Sequence, residues 1–179
     1  MEYRLAKPED LLQMMEMVDQ AKASFRERGI DQWQKGEPDA PGLSSAIAAG
    51  QVRVLELSGR VVAMITLMEG PDPSYREIDG SWLNDRPYMA FHRVCVAEDL
   101  KGRGLAAKLF AASEEESERR GYRDIRIDTH PDNRSMQRAL EKSGYLRCGT
   151  LRLLGGSEDG DLRVGFQKVL RPEGVRAEI

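Results

Sequence analysis

The stretch Arg93–Phe110, RVCVAEDLKGRGLAAKLF, closes an apolar run, passes through charged residues and restarts as a helix behind Gly102 and Gly104. The start of a helix carries backbone N–H groups without partners and a partial positive charge, so it can seat a phosphate. Glycines at 102 and 104 remove side chains that would hold an anion away and allow positive φ, while Lys101 and Arg103 add full charges beside the dipole. The chemistry on offer is the binding of a pyrophosphate. Two other readings fit the same residues. The glycines can merely relieve a tight strand-to-helix turn, with both cations in solvent. Alternatively, Gly102 to Ala107 satisfies G-x-G-x-x-A with Asp128 at the end of the next strand, as a dinucleotide fingerprint requires. That fingerprint normally opens its domain, however, and here only a helix, a strand, a helix and two strands follow it.

The chain has two histidines, His92 in the run that leads to this junction and His130 after the next strand. An imidazole titrates near neutrality and suits proton transfer there. Strand alternation is expected to place His92 on the same face as Val94 and Val96. A lone strand histidine can equally be a packing residue. His130 can line the same cleft or cap the following helix.

These residues need elements to position them. EYRLA reads as a first strand, and Pro8-Glu9-Asp10 open a helix in which Leu11, Met15, Val18, Ala21 and Phe25 recur at helical spacing before Gly29. LSSAIAAG is a short second helix. QVRVLELSGRVVAMITLME is a hairpin hinged on Ser58-Gly59, and residues 70–87 form a long irregular connection of the kind that often closes over a binding site. YMAFHRVCV is the fourth strand. The next helix carries Leu105, Leu109 and Ala112 inward and SEEESERR on a solvated face. YRDIRIDTH is the fifth strand, and DNRSMQRALEKSGY is a helix capped by Asp132 or Asn133, with Met136, Ala139 and Leu140 inward. Two last strands follow. The order predicts one mixed α/β domain over residues 1–179, with a parallel β-α-β unit at 88–129.

At 179 residues the chain is long enough for a sizeable core, and 40% hydrophobic with 32% charged residues places it among ordinary globular proteins. A net charge of −3 supplies no basic field for nucleic acid. The N-terminus has neither a secretory nor a transit pattern, and no apolar run is long enough to enter a membrane. Cys95 and Cys148 are expected to be buried, reduced thiols, which suits a cytoplasmic address. No metal site is expected.

Lys101-Gly102-Arg103-Gly104-Leu105-Ala106 behind Val96 resembles motif A of the GNAT superfamily of acyl-CoA-dependent N-acetyltransferases, with lysine in place of the usual arginine or glutamine. Asn133 at a helix start and Glu141-Lys142-Ser143-Gly144-Tyr145 at its end resemble motif B, and the N-terminal β-α-α-β-β order is also the family's. The resemblance runs from residue 2 to about 170. It implies a central sheet of about seven strands, splayed between the fourth and fifth and flanked by about four helices, with acetyl-CoA as cofactor. It places the pantetheine arm along Val94, Cys95 and Val96, the pyrophosphate on the backbone of Gly102 to Ala106 beside Lys101 and Arg103, and Asn133 on the pantetheine side. Arg134 and Lys108 are weaker candidates for phosphate contact. His92 matches the base histidine of arylalkylamine N-acetyltransferases. The usual tyrosine acid is absent, because its position holds Leu140; Tyr88, Tyr145 or water would have to serve.

Acceptor pockets in that superfamily form from the first helices and the connection before the fourth strand. Trp33 and Trp82 lie there and, with Tyr88 and His130, are the candidate substrate residues; Asp79, Asp85 and Glu77 nearby would favour a cationic acceptor. The implied activity is acetyl transfer to a primary amine of a small molecule or peptide in a ternary complex. The alternative is a non-catalytic acyl-CoA-binding regulatory module. The sequence leaves homodimer formation open.

Overall fold

Alternating, β-branched runs build a sheet, and amphipathic segments cover it on both faces. The computed structural model describes residues 1–170; positions 171–179 of the expected 1–179 domain lie outside the described residues. The elements are β1 (Glu2–Leu5), α1 (Leu11–Glu27), α2 (Ala40–Ala48), β2 (Val52–Leu57), β3 (Arg60–Glu69), β4 (Asp79–Gly80), β5 (Tyr88–Val96), α3 (Leu105–Arg119), β6 (Asp124–Thr129), α4 (Arg134–Lys142), β7 (Leu146–Arg152) and β8 (Leu162–Val169). They form one mixed sheet in the order β1-β2-β3-β5-β6-β8-β7-β4. Every neighbouring pair is antiparallel except β5 and β6, which α3 joins as a parallel crossover.

The expected hairpin is β2–β3. Ser58 and Gly59 both take positive φ, +51° and +80°, as a two-residue turn matched to strand twist requires. α1 and α2 bury Met14, Val18, Leu43 and Ile47 on one face of the sheet. α3 and α4 bury Leu109, Phe110 and Leu140 on the other, against Ile65, Phe91, Ile125 and Phe166. A third cluster, Tyr75, Tyr88, Ala90 and Leu151, fills the end where the connection after β3 returns to the sheet.

Three expectations need correction. The sheet has eight strands rather than about seven, because Asp79–Gly80 pairs with Gly149–Thr150 of β7. Two residues carry no readable period. Their glycines are required by contact, since a Cβ on Gly80 would strike the Cys148 carbonyl and one on Gly149 the Asp79 carbonyl. The SEEESERR face is not simply solvated. Ser113, Glu114 and Ser117 are buried, and Glu116 takes Arg53 at 2.5 Å and the Tyr3 hydroxyl at 2.9 Å. Lastly, Cys148 is half-buried rather than buried, while both cysteines are free thiols.

Candidate active site

The site begins with a fault in β5. Met64 faces Cys95 and Thr66 faces His92, so Ile65 alone opposes Arg93 and Val94, and Arg93 adopts φ +52°. This β-bulge reverses the alternation. Met89 and Phe91 belong to the α3–α4 side before it, and Val94 and Val96 return to that side after it. His92 therefore faces away from Val94 and Val96, toward Tyr75, rather than sharing their face as alternation alone implied. The pairing with β6 also stops here. It runs only from Tyr88–Asp124 to Phe91–Ile127, so from His92 onward this edge of β5 has no strand beside it among the described residues.

A cleft of about 870 Å³ opens where the two strands part. One end lies at the start of α3. Gly104 is the N-cap with φ +75° and no side-chain cap, and Gly102 has φ +77°. A Cβ added at either would meet nothing within 4 Å, so the backbone there is open to a ligand. The first-turn N–H groups of Leu105, Ala106 and Ala107 have no side-chain cap among the described residues, so this helix start carries the partial positive charge to which an anion is attracted. Lys101 lines this end but is already ion-paired to Glu98. Arg138 and Lys142, one helical turn apart on α4, line it too. Val94, Cys95 and Val96 form the wall between. The Cys95 Sγ donates to the Met17 carbonyl, and burial pushes its thiol up to about 12, which removes it as a nucleophile. Asn133 caps α4 by accepting the Met136 N–H, and its amide donates to Gln32 at 2.9 Å.

The other end holds the titratable groups. The His92 Nε2 lies 3.0 Å from Asp72 Oδ2, close enough to attract but not aligned as a hydrogen bond. Burial works against the Asp72 charge, but His92 and the Ser74 N–H hold its carboxyl below the usual carboxylate range. The Tyr75 hydroxyl donates to Asp128 at 2.8 Å, and burial pushes the Asp128 carboxyl up despite that bond and the nearby His92 and Arg163. Arg163, 2% exposed, lies 3.7 Å from Asp128 and 2.7 Å from Glu158. A buried guanidinium needs such company, since leaving it unpaired is costly. Glu158 also accepts the Trp33 N–H at 2.6 Å, Glu37 accepts the Ser157 N–H at 2.8 Å, and Lys35 reaches Asp161 at 2.5 Å. These bonds tie the β7–β8 connection to residues 33–37 and roof this end.

The cleft thus gathers Trp33, His92, Val94, Cys95, Val96, Lys101, Gly102, Gly104, Leu105, Ala106 and Asn133. Arg103, Trp82, Tyr88 and His130 do not line it. Trp82 donates to the Tyr75 carbonyl at 2.8 Å and stacks under Arg126, so it fills the core edge. Tyr88 accepts the Asp72 N–H at 2.8 Å, a supporting contact. His130 Nδ1 accepts the Asp132 N–H at the turn into α4. Tyr145 is buried against Phe110, and Leu140 is fully buried, so neither faces the cleft. Arg134 and Lys108 also lie outside its lining, as do Glu77, Asp79 and Asp85, all exposed or half-exposed. Sequence reasoning missed Asp72, Glu158 and Arg163, which loops and strand ends bring in without a motif. For Arg138 and Lys142 the i, i+4 spacing was the available signal.

Among the described residues, no group of three or more His, Cys, Asp or Glu is placed to hold a metal, and no helix is long and apolar enough to cross a membrane. Residues 14–145 match the Acetyltransferase (GNAT) family. No curated protein matches the chain. Among solved structures, a GNAT family acetyltransferase from Streptococcus agalactiae is 32% identical, covers 96% of each chain and superposes with a TM-score of 0.85. One from Listeria monocytogenes is 20% identical over 94% of each chain, with a TM-score of 0.70. A Salmonella typhimurium structure with acetyl-CoA is 18% identical, covers 99% of this chain and 97% of that one, and has a TM-score of 0.66. The match over 14–145, together with a parted strand pair that ends on a glycine-lined helix start, makes this chain a member of the GNAT acetyltransferase family.

Proposed function

We propose that the protein transfers an acetyl group from acetyl-CoA to a primary amine of a small molecule or peptide, by direct attack in a ternary complex, with His92 as base. The observation that carries this is continuity: one cleft runs from the open glycine backbone at α3 to the His92 imidazole. The residues present fit the donor. The backbone of Gly102 to Ala106 would hold its pyrophosphate, with Arg138 and Lys142 beside it. The free β5 edge at Val94–Val96 would pair with the pantetheine amides as an added strand does, and Asn133 flanks them. When bound, acetyl-CoA supplies an acetyl group activated as a thioester.

An amine is mostly protonated at neutral pH and attacks only through a free lone pair, so His92 removes its proton. A main-chain N–H of β5 is a suitable donor to the carbonyl oxygen as negative charge develops there. No side-chain acid is assigned: Leu140, Tyr145 and Tyr88 all face elsewhere, and a departing thiolate needs only modest help. Trp33 lines the acceptor end. The carboxylates of Asp72, Asp128 and Glu158 outnumber the Arg163 guanidinium set between the last two, and that balance favours a cationic amine. Free thiols at Cys95 and Cys148 fit a reducing, cytoplasmic setting.

The test is thiol release from acetyl-CoA over a panel of neutral, cationic and anionic amines. Turnover above hydrolysis on at least one amine supports the reading. Tight coenzyme A binding without turnover on any amine would instead make the protein an acyl-CoA-binding module.

A further inference from the structure

We propose that Asp72 is a positioning residue for His92: its carboxylate, 3.0 Å from Nε2, draws the imidazole proton to that nitrogen and leaves Nδ1 as the nitrogen that takes the acceptor's proton. The inference rests on the base role given to His92 above.

Asp72 does not come from the strand that carries His92. It enters from the connection after β3, and three contacts fix it there. Its backbone N–H donates to the Tyr88 hydroxyl at 2.8 Å, its Oδ1 accepts the Ser74 N–H at 2.8 Å, and its Oδ2 lies 3.0 Å from His92 Nε2. Tyr88 stands four residues before His92 on β5, ahead of the bulge, so both side chains rise from the same face. One strand thus carries the imidazole and the post that anchors its carboxylate. The Tyr75 ring lies 6.0 Å from the imidazole at a 32° tilt and limits its swing.

The assignment of nitrogens follows from donor and acceptor counting. A neutral imidazole has one N–H and one lone pair, and an ionised carboxylate can only accept. The nitrogen against Asp72 is therefore the N–H, and Nε2 is sealed from solvent, so it cannot meet an acceptor. Nδ1 keeps the lone pair. In the transfer a proton leaves the acceptor nitrogen for Nδ1, the N–H bonding pair stays on that nitrogen as its lone pair, and the imidazolium so formed lies beside the Asp72 charge. The other groups facing the ring are Tyr75 from its turn and Asp128 from β6, with Arg163 of β8 behind Asp128. Asp128 acts with the same sign as Asp72, and Arg163 opposes it.

The experiment uses the whole protein. Nitrogen-15 NMR of the imidazoles, assigned with His130→Gln, reads the tautomer in the free enzyme, and steady-state kinetics are run on the best amine of the panel. The expected result is an Nε2–H tautomer in the wild type and a mixed population in Asp72→Asn. In that variant kcat falls about tenfold or more, the KM for acetyl-CoA stays within about twofold, and the acid limb of kcat/KM moves to lower pH. Asp72→Glu restores the tautomer and most of kcat. Unchanged tautomer and unchanged kcat in a folded Asp72→Asn protein would overturn the proposal. His92→Ala separates the two ideas. If it is fully active, the base role itself is wrong; if it is inactive while Asp72→Asn behaves as wild type, only the positioning role falls.

Discussion

His92 and Val94 stand two residues apart on β5 and look to opposite faces of the sheet, because Arg93 between them sits at φ +52°. The bulge sends the imidazole toward Tyr75 and Asp72 while the following residues turn their side chains back to the α3–α4 core. A left-handed conformation costs a non-glycine residue about 1–2 kcal/mol, and most where the side chain is β-branched. Arg93→Gly should therefore keep stability within about 1 kcal/mol of wild type, relief of strain offsetting the entropy of glycine. Arg93→Val should lose about 1–2 kcal/mol. Urea denaturation of the two variants checks the contrast, and equal stabilities would mean that the bulge is not under strain.

Gly104 should be sensitive in binding rather than in folding. Its Cβ would project into open space at the head of α3 and obstruct the proposed phosphate seat, while its φ of +75° adds about 1–2 kcal/mol of backbone strain. Calorimetric titration of Gly104→Val with coenzyme A should show affinity lowered at least about tenfold, equivalent to about 1.4 kcal/mol. The thermal melt should remain cooperative.

Stability should fall in acid. Asp10, Asp72 and Glu116 all sit below the usual carboxylate range: Asp10 through its bonds from Arg4, while burial of the other two is outweighed by His92 and the Ser74 N–H at Asp72 and by Arg53 and the Tyr3 hydroxyl at Glu116. A group whose folded-state pKa is depressed contributes stability that is present above its unfolded value and lost as pH falls toward the folded one. The loss should begin below about pH 4–5, the unfolded carboxylate range. Urea midpoints between pH 7 and pH 3 measure it. Glu116→Gln should flatten part of that slope, because Arg53 then loses the partner it holds at 2.5 Å.

Tyr145→Phe should leave kcat within about twofold of wild type, well short of the 100-fold or more that general acid catalysis supplies. Its hydroxyl is buried away from the cleft and has no hydrogen-bond partner among the described residues, and burial pushes its pKa well above the usual phenol range. A loss near 100-fold would instead bring Tyr145 into the reaction as proton donor.

Much of this was legible in the chain. Ser58-Gly59, Gly29 and Gly144 punctuate the elements where their positive φ values place them, and the glycine pair at 102 and 104 marked the open turn into α3 by local chemistry alone. The end that holds His92 was less legible because its geometry is non-local. Asp72 reaches His92 across a proline-rich connection, and Arg163 meets Glu158 and Asp128 through the register of β8 with β6. The bulge at Arg93 left no sign in composition, since arginine is an ordinary strand residue, yet it reversed the face of every side chain after it. Trp82 looked like a binding aromatic but meets Arg126 and the Tyr75 carbonyl, a partner set that periodicity does not reveal.

The ties from Trp33, Lys35 and Glu37 to Glu158, Asp161 and Ser157 join stretches more than a hundred positions apart, and none of them touches the glycine corner. On the function proposed above, donor grip and acceptor choice are thereby entrusted to separate parts of the polypeptide. Under that reading, descendants of this protein could trade one hairpin tip, and the segment it latches onto, for a different clientele while the glycine corner stays as it is.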